Sequence, residues 1–266
     1  MKDLQGKKIL VTGGGGVGVG GGVCQALDQH GATIILNEIS MKKAEEAAAR
    51  YSNAIPVAAD IGDGKQVMAM FDKLAREIGI VDGLVNNAGV GLSKLAHQVS
   101  EQEFDRLYDI DIKGVWLVSK MFVNQLLEKG RPGSIVNISS VNALATMSRY
   151  AIYASAKAAV EGLTMGMAVE LGIHNIRVNA IGPGLVQAEQ NYDLVRTWTD
   201  DPEKWLREFP QDQQAIPQDI LPVECGQVVA FLLSDLSSAV TGQTIYVDKG
   251  TTSLIFNRSC TERSGF

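Results

Sequence analysis

The sequence predicts one α/β domain, in which a doubly wound parallel sheet of about seven strands is covered on both faces by helices. Three observations predict it. Short apolar, β-rich runs alternate with longer helical patterns along the chain. Several of those runs lack the polar alternation of half-exposed strands, as strands buried on both faces should. A length of 266 residues suits one such domain with one sizeable core.

In chain order, strands are expected at 8–12, 33–36, 55–58, 81–86, 134–138, 177–180 and 244–247. The first is followed by Thr12 and a glycine-rich run to Gly22, then by a helical pattern over 23–30. Glycines at a strand-to-helix turn let backbone amides approach a pyrophosphate, whose charge the helix N-terminus stabilises. Gly16, Gly18 and Gly21 satisfy G-x-G-x-x-G, although so many glycines permit several registers. The second strand ends at Asn37-Glu38, where a carboxylate can accept hydrogen bonds from adenosine ribose hydroxyls and repel a 2′-phosphate. With no Lys or Arg in the glycine run and Ile39 next in the chain, NAD(H) is favoured over NADP(H). Helical patterns over 101–129 and 149–172 are the longest, and the second is rich in Ala and Gly, which permits close packing. The irregular stretch 185–222 holds Trp198, Trp205 and Phe209 and is read as a helical substrate lid within a domain spanning 1–250.

Bulk properties exclude several functions. The net charge is −6 and no basic block marks a nucleic-acid or anionic-membrane face. The charged opening residues and the lack of a long apolar segment lead us to expect a cytoplasmic protein. Cys24, Cys225 and Cys260 are odd in number and widely spaced, which fits reduced thiols. His30, His97 and His174 do not cluster, so no metal site is expected; His30 and His174 fall near helix ends, where capping is expected.

Tyr153 and Lys157 stand four apart in a helical pattern, which stacks a phenol and an ammonium on one face. A neighbouring cation stabilises a phenolate, so such a tyrosine can take a proton from an alcohol or return one to a carbonyl. Together with the glycine turn (12–20), Asp60-Ile61, Asn86-Asn87-Ala88-Gly89, Ser139-Ser140, Asn179 to Gly184, Thr241-Gly242-Gln243 and Val247-Asp248, the chain from Lys7 to Gly250 resembles the short-chain dehydrogenase/reductase family. The resemblance implies a Rossmann-type fold, with Gly13, Gly18, Val19 and Gly20 forming the cofactor turn. It implies that Asp60 and Ile61 border the adenine, Asn87 lines the cofactor cleft, and Val186 lies near the nicotinamide amide. Tyr153 and Lys157 would hold the nicotinamide ribose while doing chemistry. The family's catalytic serine precedes the tyrosine by thirteen residues, which selects Ser140 to hold the substrate oxygen. The implied reaction transfers hydride between a secondary alcohol, or its ketone, and NAD(H), in a homo-oligomer, a tetramer or dimer built on the two long helices.

The sequence departs from the family pattern at several positions. The glycine turn is one residue longer than usual, so Gly13 lies one residue far upstream of Gly18 and Gly20. Asp111 stands where the family has the asparagine of its catalytic tetrad, which helps position a water connected to the lysine; Asp111 would hold Lys157 charged and anchor that water, while its charge opposes phenolate formation at Tyr153. Ala188 replaces a threonine that bonds the nicotinamide amide, and Lys249 replaces a glycine. A C-terminal extension, 251–266, runs past the usual end. Tyr150 precedes Lys157 by seven residues, the spacing of the enoyl-thioester reductase branch, and is read with Asn142 as a substrate-side contact. Arg149 and His97 are further candidates for the substrate side. The alternatives are a nucleotide-sensing protein without turnover and, behind it, an enoyl-thioester reductase using Tyr150.

Overall fold

The computed structural model describes residues 3–256. Seven parallel strands, β1 (Lys8–Thr12), β2 (Thr33–Glu38), β3 (Ala54–Ala58), β4 (Gly83–Asn86), β5 (Gly133–Ile138), β6 (Ile176–Pro183) and β7 (Thr244–Val247), form one sheet in the order β3-β2-β1-β4-β5-β6-β7. All seven expected strands are present, and the order reverses direction between β1 and β4. Loops diverge there, opening a crevice at the carboxyl ends of the strands, the usual ligand position in doubly wound sheets.

The strands bury side chains alternately on two faces. Ile9 and Val11 of β1 enter one core with Val23 and Leu27 of α1 (Val19–Gln29) and Val229 and Leu233 of α9 (Pro222–Leu233). Leu10, between them, points into a second core with Phe71 and Leu74 of α3 (Gly64–Glu77) and Phe122 and Leu126 of α5 (Val115–Lys129). The small residues of α2 (Met41–Ala48), Ala44 and Ala47, complete the first core beside β2. α6 (Ala151–Leu171) closes the second through Ala168 and Leu171.

The glycine run serves packing as well as the turn. Gly22 in α1 approaches Pro222 at the start of α9 so closely that a Cβ would overlap the proline carbonyl, and Gly226 reciprocally abuts the Gly22 carbonyl. The two helices therefore meet backbone to backbone, which fixes the position of the α1 N-terminus.

The helical pattern over 101–129 is not one helix. α4 (Glu101–Tyr108), started by a capping box between Ser100 and Glu103, passes through a π turn (Asp109–Gly114) into α5. π turns are rare and concentrate at functional sites. Gly114 sits in this turn because Ile61 lies where a side chain would go. The expected lid forms two helices, α7 (Glu189–Val195) and α8 (Pro202–Gln213), the second capped by the Asp201 carboxylate. Thr251–Ser253 forms a short 3-10 turn, and the rest of the expected extension from residue 257, Cys260 included, lies outside the described residues. Cys24 and Cys225 are buried and unbridged, and burial pushes both thiols up to about 12, so neither is a nucleophile at neutral pH. His30 caps α1 and bonds Gln227, as expected, whereas His174 lies inside a short 3-10 turn that Asn175 caps. Among the described residues no helix is long and apolar enough to cross a membrane and no His, Cys, Asp and Glu cluster could hold a metal.

The α1–α9 contact leaves no room for one methyl group. Gly22→Ala is expected to cost about 3 kcal/mol, the upper end of the usual overpacking range, lowering the thermal midpoint by roughly 6–12 °C, read by differential scanning calorimetry. An unchanged midpoint would show that α9 can slide away.

Candidate active site

At the end of β1 the Thr12 hydroxyl accepts hydrogen bonds from the backbone amides of Asn87 (3.0 Å) and Ala88 (3.1 Å). The Asn87 side chain donates in return to the carbonyls of Thr12 and Gly13, at 3.0 and 2.8 Å. These bonds stitch the glycine turn to the end of β4 across the switch point. Gly13 adopts a left-handed conformation (φ +63°) with Ala88 packed against it, so only glycine fits there despite its extra residue of distance from Gly18. Gly18 is the N-cap of α1, Val19 its first residue, and Gly20 packs on the Asn87 amide.

Glu38 reaches the same turn from β2, where its Oε1 accepts from the Gly15 amide at 2.9 Å. Arg50, just beyond α2, donates to the Gly15 carbonyl, and its guanidinium lies 5.7 Å from the centre of the Tyr51 ring. Gly15, Gly16, Glu38, Lys43 and Arg50 line a cleft of about 500 Å³. Two cations thus stand beside Glu38. This corrects the expectation that nothing near it could meet a phosphate, since α2 with Lys43, and Arg50 just beyond it, lie beside the turn. At the end of β3 the Asp60 carboxylate accepts from the Gly62 amide at 2.9 Å, and Ile61 is buried against Gly114.

The chemical residues gather at the ends of β4 and β5. Ser140 is buried immediately after β5, and its Oγ accepts from the backbone and side-chain nitrogens of Asn142 at 3.2 and 3.3 Å. Its own proton remains available to donate. Asn142 in turn accepts from Thr146, so its amide orients Ser140. Tyr153 and Lys157 share a face of α6, with the ammonium 5.6 Å from the Tyr153 ring centre.

Lys157 is buried and Asp111 is fully enclosed; Nζ lies 2.9 Å from Asp111 Oδ2, an ion pair without the alignment of a hydrogen bond. The ammonium also donates to the Ile138 carbonyl at 3.3 Å, and the other Asp111 oxygen accepts from the Val90 amide at 2.8 Å. The π turn delivers Asp111 to this place. Burial is the largest influence on Lys157 and acts to lower its pKa, but attraction to Tyr153 and Asp111 outweighs it, and the net direction is upward from 10.5. A raised folded-state pKa means that this stabilisation is complete at neutral pH and is lost only as pH rises past the ordinary lysine range.

Tyr150, at the start of α6, meets Tyr153 edge to face at 5.8 Å between ring centres and Trp198 likewise at 6.1 Å. Trp198, Trp205 and Phe209 continue the series at 5.4 and 5.0 Å. The series fixes the α7–α8 segment to the start of α6. Tyr150 is 6% exposed, and its enclosed hydroxyl has no well-aligned partner, Ser93 being the group that faces it. Ser93, likewise unbonded, was not singled out by sequence, because nothing local distinguishes it. Val186 is buried against Ile220, and Ala188 caps α7 without a side-chain bond. A second cavity of about 500 Å³ beneath α7 and α8 touches Val186 and Ala188 but none of Ser140, Tyr153 and Lys157, so it is set apart from the reacting groups. His97 and Arg149 are exposed.

The family model described as enoyl-(acyl carrier protein) reductase matches residues 15–252. Oxidoreductase UcpA of Salmonella typhimurium is 39% identical over 95% of this chain and 97% of its own length. The 3-oxoacyl-[acyl-carrier-protein] reductase FabG of Thermotoga maritima is 36% identical over 93% of this chain and 98% of its own. The chain belongs to the short-chain dehydrogenase/reductase family. A gluconate 5-dehydrogenase from Burkholderia cenocepacia, solved with NADP and tartrate, superposes with a TM-score of 0.86 at 29% identity, covering 96% of this chain and 98% of that one. The protein is thus a hydride-transfer oxidoreductase of the Rossmann type, from a family that uses nicotinamide cofactors on small molecules.

The Lys157–Asp111 pair makes the site's geometry measurable as stability. Asp111→Ala leaves a buried ammonium without its carboxylate and is expected to cost about 3–5 kcal/mol, read from urea denaturation midpoints. Asp111→Ala with Lys157→Met should recover at least half of the loss; equal losses in the single and double variants would show that the pair is not the cause.

Proposed function

We propose that the protein is an NAD(H)-dependent secondary-alcohol dehydrogenase or ketone reductase. The observation that carries the reading is the Lys157 ammonium held against the Tyr153 ring by Asp111, with Ser140 on the adjoining strand end.

The cradle fits a dinucleotide. Gly16 leaves the turn open, the α1 N-terminus adjoins it, and Asn87 holds it to β4. Gly13, Gly18, Val19 and Gly20 would hold the pyrophosphate, Asp60 and Ile61 the adenine, and Asn87, Tyr153 and Lys157 the inner ribose. Val186 would lie beside the nicotinamide, where Ala188 supplies no hydroxyl. When bound, the nicotinamide supplies the acceptor or donor of hydride.

The residues of the chain manage the proton. Ser140 donates to the substrate oxygen and holds it where charge develops. Tyr153 takes the hydroxyl proton during oxidation and returns one during reduction, and the ammonium of Lys157 stabilises the phenolate that forms. Asp111 keeps Lys157 charged and in place, and so acts as a positioning residue. The α7–α8 segment, held by Trp198, serves as the lid over the substrate. NAD(H) is favoured because Glu38 offers a carboxylate where NADP(H) carries its phosphate, while Arg50 is committed to the Gly15 carbonyl.

Alcohol oxidation followed at 340 nm should fall about 10²–10⁴-fold in Tyr153→Phe and about 10²–10³-fold in Ser140→Ala. Tight NADH binding with no Tyr153-dependent turnover would instead favour a sensor.

Cofactor choice is tested separately. NAD+ should be preferred over NADP+ by more than about tenfold in kcat/KM, and Glu38→Gln should narrow that ratio by about tenfold through loss of like-charge repulsion. A preference for NADP+ in the unaltered protein would assign Lys43 and Arg50 to the phosphate.

A further inference from the structure

Two enclosed hydroxyls near Tyr153 have no role in the proton chemistry. The Tyr150 side chain is 6% exposed, lies between the rings of Tyr153 and Trp198, and its oxygen is enclosed without a hydrogen bond. Ser93 Oγ is enclosed in the same way. Their chains are tied together by the Lys94 amide, which donates to the Arg149 carbonyl at 2.8 Å. Burial raises the Tyr150 pKa, and the facing Ser93 hydroxyl opposes that rise. Tyr150 therefore stays a neutral phenol, able to donate and accept, while the ammonium and its carboxylate partner serve Tyr153. The backbone supports the arrangement under strain: Arg149, directly before Tyr150, is held in a left-handed conformation (φ 74°) that arginine disfavours.

Buried polar groups that pair only with a ligand discriminate strongly, because a ligand lacking the matching group leaves them unpaired. We propose that Tyr150 and Ser93 form a subsite for a second oxygen on the substrate, so that the enzyme acts on diols, polyols and hydroxycarbonyl compounds in preference to simple alkanols. The subsite rests on the dehydrogenase reading above and names its substrate class. Tyr153 abstracts the proton at the reacting carbon, while Tyr150 and Ser93 bind the neighbouring oxygen and set which carbon is presented.

The experiment compares butane-2,3-diol with butan-2-ol and cyclohexane-1,2-diol with cyclohexanol, using the full chain and NAD+. The diol-to-alcohol ratio of kcat/KM is expected to be about 100 or more. Tyr150→Phe, which keeps the ring, should cut that ratio at least about tenfold, mainly through KM of the diols, and Ser93→Ala should cut it less. A ratio near one in the unaltered protein, or equal losses on diol and alcohol in Tyr150→Phe, overturns the subsite. Tyr153→Phe separates the two levels of the argument: loss of turnover on every substrate keeps the dehydrogenase reading standing however the ratio falls. Turnover that survives Tyr153→Phe and vanishes in Tyr150→Phe, or no turnover on any of the four, overturns both.

Discussion

The site depends on one buried charge pair. An ammonium removed from water is expensive unless a partner of opposite charge replaces the lost hydration, and Lys157 finds that partner in Asp111, 2.9 Å away. The pair joins three parts of the fold. Lys157 comes from α6, Asp111 from the π turn between α4 and α5, and the Val90 amide that fixes the carboxylate follows β4. Each is anchored by its own core contacts, so the ammonium cannot drift from the Tyr153 ring without disturbing all three. An asparagine at position 111 could accept from the same amide but could not neutralise the lysine. The carboxylate thus exchanges some ease of forming a phenolate for a firmly positioned cation.

Much of this architecture was legible in the sequence, for a physical reason. Strands buried on both faces must be apolar at successive positions, so each appeared as a short run regardless of its partners, and the glycine turn and Tyr153/Lys157 spacing are local patterns. The π turn was not legible. Leu107, Asp111, Val115, Val118 and Phe122 keep a helical spacing straight through it, so periodicity reads one helix from 101 to 129. Pairing of Asp111 with Lys157, 46 residues away, was expected only from the family resemblance, because no local pattern links the two.

The glycine run shows how one sequence feature can hold two structural ones. Its first part, through Gly13 and Gly15, is a turn whose amides and carbonyls bond to Asn87, Glu38 and Arg50. Its last part, at Gly22, is a helix surface cut flat so that α9 can approach. Pattern matching could not separate them, because both demand the absence of a Cβ for unrelated reasons. The same proximity hid Arg50: its place beside the turn is set by how α2 packs on β2, and nothing near Gly15 in the chain announces it.

The aromatic series from Tyr153 through Tyr150 to Trp198, Trp205 and Phe209 links the residue proposed to transfer the proton to the segment proposed as the lid. Edge-to-face contacts of this kind are worth about 0.5–1.5 kcal/mol each beyond the area they bury. Position 150 is where this link and the polar subsite meet, since the same ring supports Trp198 with its edge and presents an unbonded hydroxyl beside Ser93. A substrate oxygen that completes the Tyr150 hydroxyl would therefore also settle the ring on which Trp198 rests. Binding of the second oxygen and closure of the segment would then favour one another, because both draw on a single side chain.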